Sequence, residues 1–216
     1  VDIVTWLVCA VAAYLLGSIP SGFLVAQARG VDIRKVGSGN IGATNVVRTL
    51  GKGPGILVLL MDALKGWLSV AALPRVVLAL LAPSLSREPL ALEALQIIGG
   101  LCAILGHNYT CWLQFKGGKG IATSAGVLLA LVPWALLIIL TLWFVLFSTT
   151  RYVSLASIAA SAALPVASWL TLESRTKVIV AGVMGALAIY KHKGNIQRLL
   201  EGTEPRFQRK SREGTP

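Results

Sequence analysis

Residues 121–149 read IATSAGVLLALVPWALLIILTLWFVLFST, an uncharged run with Pro133 near its middle. As one helix it is long for a bilayer whose hydrocarbon core takes about 20 residues. As two antiparallel helices, each half is short. The choice decides on which side of a membrane every later segment falls. With two helices the chain crosses seven times, and segments 29–52, 107–120, 150–152 and 191–216 share one face with 15 Lys and Arg. The opposite face then holds Arg75, Arg87, Arg175 and Lys177, while Lys65 lies within a span. With one helix the split is 9 against 10, which is no bias. The excess of basic residues on cytoplasmic loops therefore selects seven spans.

The expected fold is an all-α polytopic membrane protein of seven transmembrane helices. Its N-terminus is outside and its C-terminus cytoplasmic, with short fourth and fifth helices flanking Pro133 that tilt or locally thin the bilayer. The other spans are read at about 3–27, 53–73, 90–106, 153–171 and 177–190. Composition agrees: of 216 residues, 55% are hydrophobic and 13% charged, with mean hydropathy +0.74. A soluble domain carries about 25% charged residues. The first span has Asp2 rather than a basic leader, so it reads as a helix and not a cleaved signal. Without repeats or linkers, residues 1–216 form a single domain, with 206–216 as a flexible basic tail. Cys9 and Cys102 fall in apolar spans and Cys111 near an interface, which is no disulfide framework.

Seven spans bring every polar motif to the cytoplasmic face, where the net charge of +11 is concentrated. Basic residues beside anionic lipid account for much of the tail and call for no nucleic acid. They do not account for VGSGNIGATN, 36–45. Gly37, Gly39 and Gly42 spell G-x-G-x-x-G, and Asp62 lies twenty residues further on, as in a dinucleotide site. That reading requires a strand before the glycines and a βαβ unit around them. Here spanning helices flank them, and the dinucleotide reading fails. Glycine turns can still aim successive N–H groups at an anion. Ser38, Asn40, Thr44 and Asn45 add side-chain donors, and Arg48 can clamp a phosphate bidentately.

Three further segments carry polar chemistry. In FKGGKGIATS, Gly117, Gly118, Lys119 and Gly120 precede an apolar helix, so amides and a lysine would meet phosphate at a helix N-terminus. A plain helix-entry turn reads equally well. The Walker spacing is absent, with Gly120 where a Mg²⁺-binding hydroxyl would stand. In RYVSLAS, Ser154 and Ser157 share one helical face, either back-bonding to the helix or facing a site. In YKHKGNIQRLL, His192, Asn195 and Arg198 recur three apart where the last span emerges. Asp62 and Lys65, three apart within a span, can form an ion pair whose role is structural or functional.

Several chemistries lack their residues. No Asp/Glu cluster has the spacing a divalent metal would need, and no H-x₄-D pair exists, since Trp112 follows His107 and Gln197 follows His192 at that spacing. Neither a Ser-His-Asp order nor a cytoplasmic Cys-His pair suggests a covalent acyl-enzyme.

Taken together, GSIPSG (17–22), DIRKVGSGNIGATNVVRTLGK (32–52), LLMDALKG (59–66), LGHNYT with FKGGKGIAT (105–123), RYVSLASI (151–158) and H-x-x-NIQRLLEGTEPRF (192–207) closely resemble the PlsY family. These are bacterial acyl-phosphate:glycerol-3-phosphate acyltransferases. The resemblance implies a seven-helix enzyme of the bacterial inner membrane with its active site at the cytoplasmic face. It implies acyl transfer from acyl phosphate to the 1-hydroxyl of glycerol 3-phosphate, giving lysophosphatidic acid and inorganic phosphate, the first acylation of phospholipid biosynthesis. No cofactor or metal is implied. The partners are the two substrates and membrane lipid, and nothing demands more than a monomer.

Carried onto matching positions, the active centre comprises Ser38, Arg48, Lys119, Ser157, His192 and Asn195. Arg48, Lys119, Asn195 and Ser38 would fix glycerol 3-phosphate. Backbone amides of 37–45 and 117–120 would cradle the acyl phosphate, and the acyl chain would lie in an apolar groove entered from the bilayer. Acyl phosphate is an activated donor, so direct attack by the glycerol hydroxyl needs no nucleophilic side chain. Either His192 or a substrate phosphate oxygen takes the proton. The competing readings are an anionic-metabolite transporter or channel and an acyl-CoA-dependent acyltransferase.

Overall fold

The structure is a computed structural model that describes residues 1–207. All regular structure among these residues is helical: α1 (Ile3–Ser18), α2 (Ser21–Gln27), α3 (Ala43–Leu50), α4 (Lys52–Ala71), α5 (Leu73–Leu81), α6 (Pro89–Asn108), α7 (Ile121–Leu131), α8 (Pro133–Thr150), α9 (Val153–Leu170), α10 (Arg175–Lys191) and α11 (Lys193–Leu200).

Prolines punctuate these helices. The expected first span breaks at Ile19–Pro20, where the missing N–H of Pro20 ends α1 and α2 begins. The segment 121–149 breaks at Val132, whose φ of −146° and ψ of 64° leave the helical region, and Pro133 opens α8 at its first position. The break stands where the sequence placed it, but the halves are unequal. α7 has 11 residues, about 16 Å, while α8 has 18 residues, about 27 Å, so only the fourth helix is short. Proline at N1 costs a helix nothing, so α8 starts at Pro133, 12 residues after α7 begins at Ile121, and runs on to Thr150. Among the described residues, five helical runs are long and apolar enough to cross a membrane, namely 3–27, 52–81, 89–113, 133–150 and 153–170. α7 and the 17-residue α10 are the shorter candidates.

With lipid tails as apolar as leucine, helices associate by close backbone approach at small residues. α4 and α7 cross this way: a Cβ on Gly66 would strike the Thr123 carbonyl, and one on Gly126 the Ala63 carbonyl. α6 lies against α1 through Gly106, and α10 against α9 through Gly185. The main core joins α7, α8, α9 and α10 around Val127, Leu128, Leu136, Leu164 and Met184. Leucines, isoleucines and valines along α1, α4 and α8 face outward, as a lipid-facing surface requires.

The chain is docked through Phe207, so the expected tail begins later than 206. The Phe207 N–H donates to the Arg151 carbonyl at 2.8 Å, and the Arg206 Nε donates to the Tyr152 hydroxyl at 3.0 Å. The rest of the expected basic tail, including Arg209, Lys210 and Arg212, lies outside the described residues.

Candidate active site

A cavity of about 900 Å³ opens among α3, α4, α8, α9, α11 and the loops before α3 and α7. Ser38, Arg48, Lys119, Ser157, His192 and Asn195 all line it, although they are spread over 157 positions of sequence. Its lining is part polar and part apolar, the apolar part including Ile56, Leu59, Trp143, Phe147, Val153 and Phe207. A smaller apolar cavity of about 60 Å³ lies between α7, α8, α9 and α10 and shares Ile121, Trp143 and Ser157 with the large one.

The loop 36–45 is tied by its own side chains. Asn45 is buried, and its amide nitrogen donates to the carbonyls of Ile33, Val36 and Asn40 at 3.3, 3.1 and 2.9 Å. Its Oδ1 accepts from the Ser38 N–H at 2.9 Å. Asn40 Oδ1 accepts from the Gly42 N–H at 2.8 Å, and the Gly39 N–H donates to Val36 at 3.0 Å. Gly37 and Gly39 sit at φ of 60° and 67°, the left-handed region that favours glycine. The expectation that amides across 37–45 cradle an anion therefore narrows, because those of Ser38, Gly39 and Gly42 are already satisfied within the loop. Asn45 is the knot of the loop rather than a free donor. Ala43 and Thr44 line the cavity in the first turn of α3, where N–H groups have no intrahelical acceptor.

A polar chain runs along the back of the cavity. Lys119 Nζ donates to Asn195 Oδ1, and Asn195 Nδ2 donates to Glu204 Oε1 at 2.7 Å. Glu204 also accepts from Ser154 Oγ and Arg198 Nε, each at 2.7 Å. Burial alone would raise the Glu204 carboxyl, but these three donors hold it below the usual carboxylate range. Burial lowers Lys119 to about 8, assisted by Arg198, Arg48 and Lys191 against the opposing pull of Glu204. Arg48 donates to the Pro205 carbonyl at 3.1 Å, so residues 203–207 strap the cavity edge.

Ser157 Oγ accepts from Trp143 Nε1 at 3.1 Å, and Ser154 binds Glu204, so neither serine back-bonds to its helix. His192 sits at the joint of α10 and α11 and is 3% exposed. Its Nδ1 lies 2.8 Å from the Ala188 carbonyl, which can only accept, so Nδ1 carries the proton and Nε2 a lone pair. Burial lowers its pKa to about 4 and keeps the ring neutral at pH 7.

Asp62 and Lys65 do pair, at 2.9 Å and almost fully buried, and His107 Nδ1 approaches Asp62 at 3.5 Å. Of the glycines before α7, only Gly120 lines the cavity; Gly117 and Gly118 do not. Glu204, Trp143 and His107 had no assigned place in the sequence reading. The signal for Glu204 was an acid at the end of NIQRLLEGTE, in a segment 191–216 where seven Lys and Arg outnumber three Glu. Nothing in the sequence marked Trp143, because an indole in an apolar span reads as lipid-facing.

The fold is that of a multi-pass membrane protein whose largest described cavity is lined by cationic, polar and apolar side chains together. The chain belongs to the glycerol-3-phosphate acyltransferase family, which matches it over residues 7–202. Glycerol-3-phosphate acyltransferases of Geotalea daltonii and Geobacter sulfurreducens are 45% and 47% identical to it over 204 residues, 94% of this chain and 98% and 97% of theirs. A crystal structure of PlsY (YgiH), an integral membrane glycerol 3-phosphate acyltransferase, in its glycerol 3-phosphate form superposes with a TM-score of 0.81 at 41% identity. It is matched over 96% of its length and 94% of this chain. The lysophosphatidic acid form of the same enzyme gives 0.79 at 40% identity.

Proposed function

We propose that this protein transfers a fatty acyl group from acyl phosphate to the 1-hydroxyl of glycerol 3-phosphate, releasing inorganic phosphate. The observation that supports it is one cavity lined both by cationic and polar residues and by large apolar ones, in a chain of this family. Glycerol 3-phosphate is fixed by Arg48, Lys119 and Asn195 with Ser38. The acyl phosphate rests its anion on the first turn of α3 at Ala43 and Thr44, and its chain runs along Trp143 and Phe147. The glycerol hydroxyl oxygen attacks the acyl carbon, the carbon–phosphate oxygen bond breaks, and phosphate leaves with the bonding electrons. Orientation supplies most of the rate, since the donor is already activated. A histidine at about 4 is a weak base at neutral pH, so His192 Nε2 accepts the hydroxyl hydrogen bond and aims it. The proton finishes on a phosphate oxygen.

The chain works as a single domain with seven crossings, α7 and α10 included. Its N-terminus is outside, and the cavity opens to the cytoplasmic face of the bacterial inner membrane. Reporter fusions after 120, 151 and 173 test this: cytoplasmic signals at 120 and 151 with an external signal at 173 fit it. A cytoplasmic signal at 173 removes a crossing.

The activity is tested on purified protein given labelled glycerol 3-phosphate with either acyl phosphate or acyl-CoA. Product from acyl phosphate alone supports the reading. Product from acyl-CoA replaces the donor, and product with neither leaves an anion transporter as the better account.

A further inference from the structure

The segment Gly117–Gly120 invites a reading as a phosphate nest, yet of its three glycines only Gly120 lines the cavity. After α6 the chain reverses through Gln114 and Phe115, both left-handed at φ of 55° and 60°, and returns along the last turn of α6. The Gly118 N–H donates to the His107 carbonyl at 3.0 Å, so that amide is spent. A Cβ on Gly118 would strike His107 Nε2 and lie 3.0 Å from Cδ2 and Cε1 of the same ring. One on Gly117 would strike the His107 carbonyl, with the Asn108 backbone 2.8 Å away. Neither glycine lines the cavity, whereas Lys119 does.

The imidazole they rest on lines the cavity, as does the carboxylate that supports it, Asp62. His107 is 4% exposed, with Nδ1 at 3.5 Å from Asp62 Oδ1, an ion-pair distance rather than a hydrogen bond. The same oxygen is 2.9 Å from Lys65 Nζ, which in turn donates to the Ile19 carbonyl at 2.7 Å. Asp62 and Lys65 thus anchor a flat ring whose far edge is the seat of Gly118, one residue before Lys119.

We propose that His107, anchored by Asp62 and Lys65, is a positioning residue for Lys119, and that Gly117 and Gly118 are small so that their loop can lie on it, not so that they can bind phosphate. The buried pair inside the membrane thereby acquires a functional part: it sets the height of the lysine that meets Asn195. The consequence for substrate rests on the reading of Lys119 as a glycerol 3-phosphate ligand; the positioning itself does not.

The test is a double-mutant cycle between Gly118→Ala and His107→Ala, read two ways on purified protein. The first readout is the pH dependence of Lys119 labelling by an amine-reactive reagent, followed by mass spectrometry. Gly118→Ala should displace Lys119 from Asn195 and move its titration from about 8 toward the ordinary lysine value of 10.5. His107→Ala added to it should restore much of the original titration. The second readout is KM for glycerol 3-phosphate. Gly118→Ala should raise it by tenfold or more, as misplacement of a binding group by about 1 Å can. The double variant should recover by roughly tenfold, in the range of coupling between residues in contact.

A third comparison avoids His107 altogether. In a Lys119→Ala background, Gly118→Ala should add no further rise in KM. Lys119 labelling that stays unmoved in Gly118→Ala overturns the proposal. So does a full further rise in KM in the Lys119→Ala background, which would return the glycines to direct phosphate binding. Labelling that shifts while KM does not leaves the positioning intact and removes Lys119 from the substrate.

Discussion

Lys119 and His192 share a cavity yet respond to burial in opposite functional senses. Both are pushed toward their neutral forms, which costs Lys119 its charge and leaves His192 a lone pair. At about 8, Lys119 loses its proton near physiological pH, and with it part of its attraction for phosphate. KM for glycerol 3-phosphate should therefore climb above about pH 8, while Lys119→Arg, which stays charged, should flatten the climb. At about 4, His192 stays neutral through the working range. His192→Gln should lower kcat without altering the shape of the pH–rate profile between 5.5 and 8; a lost inflection near 6.5 would make it the base after all. The linkage to stability has a definite sign. As pH falls from 6.5 toward 4, the unfolded chain takes up this proton before the folded one, so stability declines through that window. Asn45 makes four hydrogen bonds within one loop, and Asn45→Ala strands those buried partners. A loss of about 3 kcal/mol is expected, seen as lower thermal stability together with lower activity.

At the level of elements, the site is assembled where helices stop. α3 and α7 begin at the cavity, α10 and α11 meet at it, and α6 ends beneath it. Each of these junctions is held by a close crossing further along the helix. The α4–α7 contact is the tightest such case, since Gly126 sits against the Ala63 carbonyl and Gly66 against that of Thr123. Gly126→Leu should cost about 3 kcal/mol or more by overpacking and move Lys119 with α7. Gly182→Leu, at a helical glycine with open space around it, is the matched control and should leave the melting temperature and activity close to wild type. Equal damage from both would show that glycine content, not the crossing, matters.

Over the whole molecule, one cavity gathers polar motifs that lie far apart along the chain. Much of this was legible in one dimension. Hydrophobic runs gave the helices, because a span must satisfy its own backbone in lipid, and Pro133 marked the break between α7 and α8. The family resemblance, carried by the polar motifs, named six residues that do line one cavity. Other features were not legible. Asn45, Asn40 and the amides of Ser38, Gly39 and Gly42 look like ligands in sequence because they are donors, yet folding pairs them with one another. His107 stood unmarked because Asp62 is 45 positions away, and Glu204 because only folding joins its near neighbours Asn195 and Arg198 to Ser154, 50 positions away. The sequence by itself determined that this chain is a helical membrane protein with a phosphate-suited polar face, since bilayer solvation acts residue by residue. Only the tertiary structure decided which donors are spent and which remain open, because hydrogen bonding is settled by what the fold brings within 3 Å.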